Sequence, residues 1–180
     1  MMMEKQDNNI YVKVSNKKIL LQFPKCNIET EAFIGENGVT TDKIEGDGKT
    51  LLGEFELGNI FGMHLKDEIQ GKIYKKYTQI NNNMYWVDDS NSKHYNKIVD
   101  ITQEDKDWNS AEHLIEYPTQ YEYFVEIKIN PKNIPGKGSA VFLHCAKGNK
   151  TKGCIAVKRD IMEEIIKNID EYTKIIITKI

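Results

Sequence analysis

The chain has 180 residues, enough for one domain with a sizeable apolar core, and its formal net charge of -2 excludes a global attraction to nucleic acid or anionic membrane. No apolar run reaches the roughly 20 residues needed to cross a bilayer. The three cysteines are an odd number, which excludes a fully paired disulfide scaffold and leaves at least one free thiol.

The N-terminal stretch MMMEKQDNN lacks the apolar segment of a secretory signal, which on its own points to the cytoplasm. IYVKV (10–14) and KILLQF (18–23), split by a Ser-Asn-Lys turn, predict a hairpin, and EAFIG (31–35) predicts a further strand. Glycines at 35, 38, 46, 48, 53, 58 and 62 then favour tight turns and short strands over helices. The segment 63–120 is polar and irregular and reads as long surface loops carrying one or two short elements. Its aromatics Tyr85, Trp86, Tyr95 and Trp108 argue that these loops are ordered and build a pocket wall.

Pattern returns at YEYFVEIKI (121–129), a half-buried strand, followed by a turn-rich loop at 131–139 and strands at AVFLH (140–144) and GCIAV (153–157). Asp160 is placed to cap a helix over 161–172, where Ile161, Ile165, Ile166 and Ile169 share one face, and IIITKI (175–180) reads as a buried closing strand. No repeat and no domain boundary interrupts residues 1–180, which are expected to form a single domain.

The chemistry concentrates in FLHCAKGNKTKGCIAV (142–157), where His144 ends one strand and Cys154 begins the next. A loop returning antiparallel would bring imidazole and thiol within hydrogen-bond reach. Alternation along the first strand puts His144 on the face of Phe142 and sends Cys145 to the opposite face with Val141 and Leu143. Lys147, Lys150, Lys152, Lys158 and Arg159 surround Cys154, and cations favour a thiolate. Gly153 would let a substrate approach the backbone, with the amides of Gly153 and Cys154 aimed at an oxyanion. A buried, inert cysteine explains the same residues, and on the residues alone both readings stand. Zinc held by His144, Cys145, Cys154 and His113 is disfavoured, because no C-x-x-C or H-x-x-x-H spacing is present. EGDGKT (45–50) has Lys43 where a phosphate loop needs its first glycine, so it reads as a polar turn entering GEFEL (53–57).

Taken together, IGENGV (34–39), EGDGKTLLGEFEL (45–57), YWVDDSNSKHYNKIV (85–99), WNSAEHL (108–114), GKGSAVFLH (136–144) and TKGCIAV (151–157) resemble, in order, the YkuD-type L,D-transpeptidase catalytic domain over roughly residues 30–172. The resemblance implies a mainly β fold, an L,D-transpeptidase-like sandwich or barrel with a few short helices. It implies a cysteine enzyme of bacterial peptidoglycan acting outside the cytoplasmic membrane, with stem peptides as partners and with no cofactor, metal, nucleic acid or membrane span. Cys154 would be the nucleophile and His144 its base, oriented by a backbone carbonyl such as that of Cys145. Thr151, Lys152, Tyr95, Asn96 and His113 would bind substrate, with Trp86 and Glu112 nearby in the same blocks and His113 as reserve base. The thiolate would attack the L-centre carbonyl of the third residue of a tetrapeptide stem, release D-Ala, and pass the acyl group to a stem amine in a 3→3 cross-link. Water as acceptor would make a carboxypeptidase, and a retired site would leave a wall-binding module. Lys152 departs from the family pattern, which carries histidine before the Gly-Cys pair.

Overall fold

The computed structural model describes residues 7–180; Met1–Gln6, part of the stretch read above for an export signal, lie outside the described residues. Strands β1 (Ile10–Val14) and β2 (Ile19–Phe23) form the predicted hairpin, with Val12 opposite Leu21. Its turn is closed by Ser15, whose amide and hydroxyl both donate to the Lys18 carbonyl. The next strand, β3 (Ile28–Glu31), lies earlier than the EAFIG expectation. Residues 32–35 leave the hairpin side instead, and Phe33 and Gly35 make isolated bridges to Ala156 and Thr151.

β4 (Val39–Thr40) and β5 (Thr50–Leu51) pair with each other, and β6 (Gly53–Gly62) follows as the longest strand. The segment 63–120 carries more structure than its polarity suggests. A short helix α1 (Lys66–Ile69) and β7 (Tyr77–Gln79) are followed by β8 (Met84–Val87), β9 (Ile98–Asp100) and β10 (Ala111–His113), which make a small sheet in the order β10-β8-β9. Each strand there is only three or four residues long, too short for alternation to show against the intervening polar turns.

β11 (Tyr123–Ile127), β12 (Phe142–Cys145), β13 (Ile155–Val157), helix α2 (Arg159–Asn168) and β14 (Lys174–Lys179) complete the chain. Helix α2 starts earlier than expected. Lys158 is its N-cap without a side-chain bond, Asp160 sits within the first turn, and the helix ends before Ile169. The charge of Asp160 still suits that end of the helix dipole.

The main sheet runs β13-β12-β11-β6-β14-β1-β2-β3, with β7 beside β6. β14 lies parallel to β1 and antiparallel to β6, so the last strand joins the N-terminal hairpin to the half that carries β11, β12 and β13. Phe33 and Ala156 exchange both backbone bonds at 2.9 Å, bringing the chain after β3 against β13 and nearly closing the sheet into a barrel. The fold is mainly β.

Alternation divides the sheet into two apolar faces. Leu143, Cys145, Val125 and Ile155 pack with Ile10, Leu21 and the Met162, Ile165 and Ile166 face of α2. The other face is aromatic. Phe61, Phe124, Phe142 and Tyr121 meet Trp86 from the small sheet, with Phe61 stacked on Phe124 and Trp86 edge-on to Phe142. The small sheet therefore covers the aromatic face and walls the cleft beside Cys154.

Candidate active site

β12 and β13 run parallel, not antiparallel, with Leu143 opposite Ile155 and His144 opposite Ala156. The reason lies in the intervening loop. Thr151 donates its amide to the Ile34 carbonyl and accepts from the Glu36 amide, both at 2.9 Å, so the chain is carried back along the sheet edge before β13 begins. Cys154 consequently sits beside Phe142, whose amide lies 3.3 Å from the sulfur. His144 is the next residue on the same face, about 6–7 Å further along the strand. Both side chains line one cavity of about 590 Å³. The alternation read from the sequence holds: Cys145 lies in the opposite core with Val141 and Leu143.

His144 is buried, and its Nδ1 lies 2.8 Å from the Cys145 carbonyl oxygen. That carbonyl fixes Nδ1 as the donor and leaves Nε2 as the acceptor nitrogen. Burial lowers the histidine's pKa against the opposing pull of the carbonyl, so the ring is neutral. The Cys154 thiol is pushed up to about 12, by burial first and by the Glu112 charge second, with the Phe142 amide and Lys43 opposing. It is a thiol at rest, and it donates to the Ala140 carbonyl at 3.3 Å.

The flanking cations are not what the sequence suggested. Lys150 and Lys152 pair with Glu36, and Arg159 pairs with Glu122 and Glu163. The cation that acts on the sulfur is the buried Lys43, held by Asp47 and by the Lys49 carbonyl at 2.7 Å. Gly153 also differs from expectation. At φ +139, an added Cβ would lie 2.9 Å from the Lys49 carbonyl and 3.1 Å from Lys43 Nζ, so the protein's own loop, not a substrate, takes the space a side chain would need. Its amide donates to Thr151 Oγ1 at 3.1 Å and is not offered to an oxyanion. The Cys154 amide has no hydrogen-bond partner among the described residues.

The remaining residues divide in two. Thr151 and Lys152 line the cavity; Thr151 Oγ1 donates to the Cys154 carbonyl at 2.7 Å, while Lys152 is 88% exposed. Tyr95 and Asn96 are buried behind the site and hold its backbone. Asn96 Oδ1 accepts from Trp86 Nε1 and from the Ala140 amide, and Tyr95 donates to Glu45 and accepts from the Gly138 amide. Ala140 is thereby held at φ +50, a left-handed conformation costly for a residue with a Cβ, with its carbonyl on the thiol. His113 lines neither cavity at Cys154: strand alternation turns it away from Glu112, and it stacks on Tyr85 and bonds the Asn82 carbonyl.

Glu45, Ser139, Lys43 and Glu112 line a second cavity of about 270 Å³ that also reaches Cys154. Sequence reasoning missed Lys43, Glu45, Thr50 and Tyr121. Thr50, from the EGDGKT stretch, is fully buried; its hydroxyl accepts from the Gly35 amide and donates to the Gly153 carbonyl. That stretch is a strap behind the cysteine loop, not only a turn. Its density of Gly, Asp and Thr beside a lone lysine was the available signal.

A half-buried cysteine and a neutral, carbonyl-oriented histidine line one cleft of a nearly closed β-barrel. Residues 2–177 match the YkuD L,D-transpeptidase catalytic domain, and the chain belongs to that family. A search of the curated proteins finds no match. Among solved structures the chain is similar to the helical cell shape determining protein Pgp2 from Campylobacter jejuni, at 14% identity and a TM-score of 0.45, covering 94% of this chain and 47% of that one. A lysine-to-alanine variant of Pgp2 aligns equally, over 96% of this chain and 48% of that one. The chain thus spans about half the length of these structures.

Proposed function

We propose that the protein is a peptidoglycan L,D-transpeptidase in which Cys154 is the nucleophile and His144 its base. The observation that carries this reading is the pairing of the two side chains on one face of one cavity, with His144 Nδ1 held by Cys145 so that Nε2 is the nitrogen left to accept a proton.

The resting thiol must first turn from the Ala140 carbonyl toward His144. Nε2 takes its proton as sulfur attacks the L-centre carbonyl of the third residue in a donor tetrapeptide stem. The Cys154 amide, the unpartnered donor beside the sulfur, holds the oxyanion. His144 then protonates the departing D-Ala nitrogen, and the thioester remains. An amine of a second stem opens it to form a 3→3 cross-link. Thr151 and Lys152, at the cavity mouth, contact the donor stem, while Tyr95 and Asn96 act behind it by holding the Ala140 segment. The site works outside the cytoplasmic membrane, where its substrate lies.

Intact mass after incubation with synthetic stem tetrapeptides or with a carbapenem tests the reading. A thioester adduct on the parent protein, absent from Cys154→Ala, is expected, with cross-linked dimers among the products. Free tripeptide without dimers would make the enzyme a carboxypeptidase; no adduct would leave a wall-binding module.

A further inference from the structure

Opening a thioester with a stem amine has a proton count that one imidazole does not meet. The amine enters as an ammonium, since side-chain amines titrate near 10. It must lose one proton before it has a lone pair, and a second once the C–N bond has formed. His144 accepts one. Water as acceptor needs only that one.

Glu112 stands where a second acceptor is required. It belongs to β10, opposite Trp86, and its side chain lines both cavities that meet at Cys154. Tyr121 donates to its Oε2, and Oε1 has no hydrogen-bond partner among the described residues. The Tyr121 ring stands edge-on to His144, 5.8 Å between centroids, so carboxyl, phenol and imidazole contact in turn, and all three line the cavity that also holds the Cys154 thiol. Asp88, on the wall of the smaller cavity, has a buried Oδ1 without a hydrogen-bond partner among the described residues.

We propose that Glu112 is a second acid–base group of this site, which deprotonates the acceptor ammonium at Cys154; the inference rests on the transpeptidase reading above. The ammonium gives a proton to the Glu112 carboxylate and becomes an amine. Its nitrogen attacks the thioester carbonyl, the C–N bond forms, and the second proton passes to His144. The C–S bond then breaks, the Cys154 thiolate takes that proton back from the imidazolium, and Glu112 releases its own to solvent. Thioester and ammonium become amide, thiol and one proton. Burial raises the Glu112 carboxyl to about 7 while the Tyr121 bond opposes it, and Asp88 and Glu45 raise it further, so both forms are populated near neutral pH. The other charged or titratable groups around these cavities are Lys43, Glu36, Lys147, Lys150, Lys152 and Tyr117, besides Cys154 and His144.

The test forms the acyl-enzyme from a synthetic tetrapeptide stem on wild type and Glu112→Gln, then adds a lysine-bearing stem tripeptide, hydroxylamine or buffer alone. The Glu112→Gln acyl-enzyme, once formed, should be opened by the stem amine about 100-fold more slowly than the wild-type acyl-enzyme, while opening by hydroxylamine, which is unprotonated at pH 7, and by water stays within about threefold. Products should shift from dimer to free tripeptide. Tyr121→Phe, which removes the bond that lowers the carboxyl, should move the pH limb of aminolysis upward and serves if Glu112→Gln does not fold. Equal losses with all three acceptors, or none, would overturn the role of Glu112 while leaving the transpeptidase intact. A wild type that forms no acyl-enzyme would overturn both.

Discussion

The Cys154 sulfur donates its proton to the carbonyl of Ala140 at 3.3 Å, not to His144, although histidine and cysteine share a cavity. At rest the thiol and the imidazole are thus both neutral and are not joined by a hydrogen bond among the described residues. Two measurements that usually move together should therefore separate. With the thiol raised to about 12, iodoacetamide should label Cys154 slowly at pH 7 and faster as pH climbs, and His144→Ala should leave that rate nearly unchanged. The same substitution should slow acylation by a stem tetrapeptide about 100-fold or more. A fall in both rates together would mean that the imidazole already holds the thiol's proton at rest.

Asn96 sets the position of that carbonyl. It is buried, accepts from Trp86 Nε1 at 3.2 Å and the Ala140 amide at 3.1 Å, and donates to the Asn130 carbonyl and to Asn133 Oδ1. Asn96→Ala orphans two buried donors at once and should cost about 2–4 kcal/mol in urea unfolding. Asn96→Asp keeps the acceptor oxygen for Ala140 and should retain more acylation than Asn96→Ala at equal stability loss. If the two variants acylate alike, the left-handed Ala140 does not position the site.

What the sequence revealed and what it hid follow from the range of the interactions. The hairpin of β1 and β2 and the split of Cys145 from His144 depend on local alternation, and both were legible. The parallel return of β13 depends on Thr151 meeting Ile34 and Glu36 across more than a hundred residues, which no local pattern encodes. The same holds for charge. Lysines adjacent to Cys154 in sequence pair with Glu36, whereas Lys43, distant in sequence, is brought to Gly153 by the strap of residues 43–50. Glu112 and His113 lie in one family-like block, but only their geometry shows that one faces the thiol's cavities and the other faces Tyr85.

Asp170 lies in the turn between α2 and β14. Its carboxylate accepts from the Tyr172 amide at 2.9 Å, Asn8 at 2.7 Å and Lys25 at 3.1 Å, tying the turn before β14 to the start of β1. Burial alone would raise its pKa, and these donors overcome it, holding the group at about 2. A depressed carboxylate stabilises the fold above its ordinary value of 3.8, and that contribution is lost as pH falls through about 2. Asp170→Asn should cost about 1–2 kcal/mol at pH 7, and the difference from wild type should shrink in acid. A difference that stays constant down to pH 2 would assign the loss to packing.

Glu112 has the opposite sign, which gives a stability test independent of turnover. Its folded pKa of about 7 lies above the ordinary 4.5, chiefly through burial, so the folded chain holds a proton there that the unfolded chain has released. Its favourable contribution is complete below 4.5 and is lost as pH rises through about 7, by up to about 2–3 kcal/mol. Glu112→Gln removes the titration. Wild type should therefore lose stability relative to the variant between pH 4.5 and 8, read as converging and then crossing urea midpoints. Midpoints that keep a fixed separation across that window would show the carboxyl to be charged throughout, and a carboxylate of ordinary acidity would be a poor acceptor for an ammonium proton at Cys154.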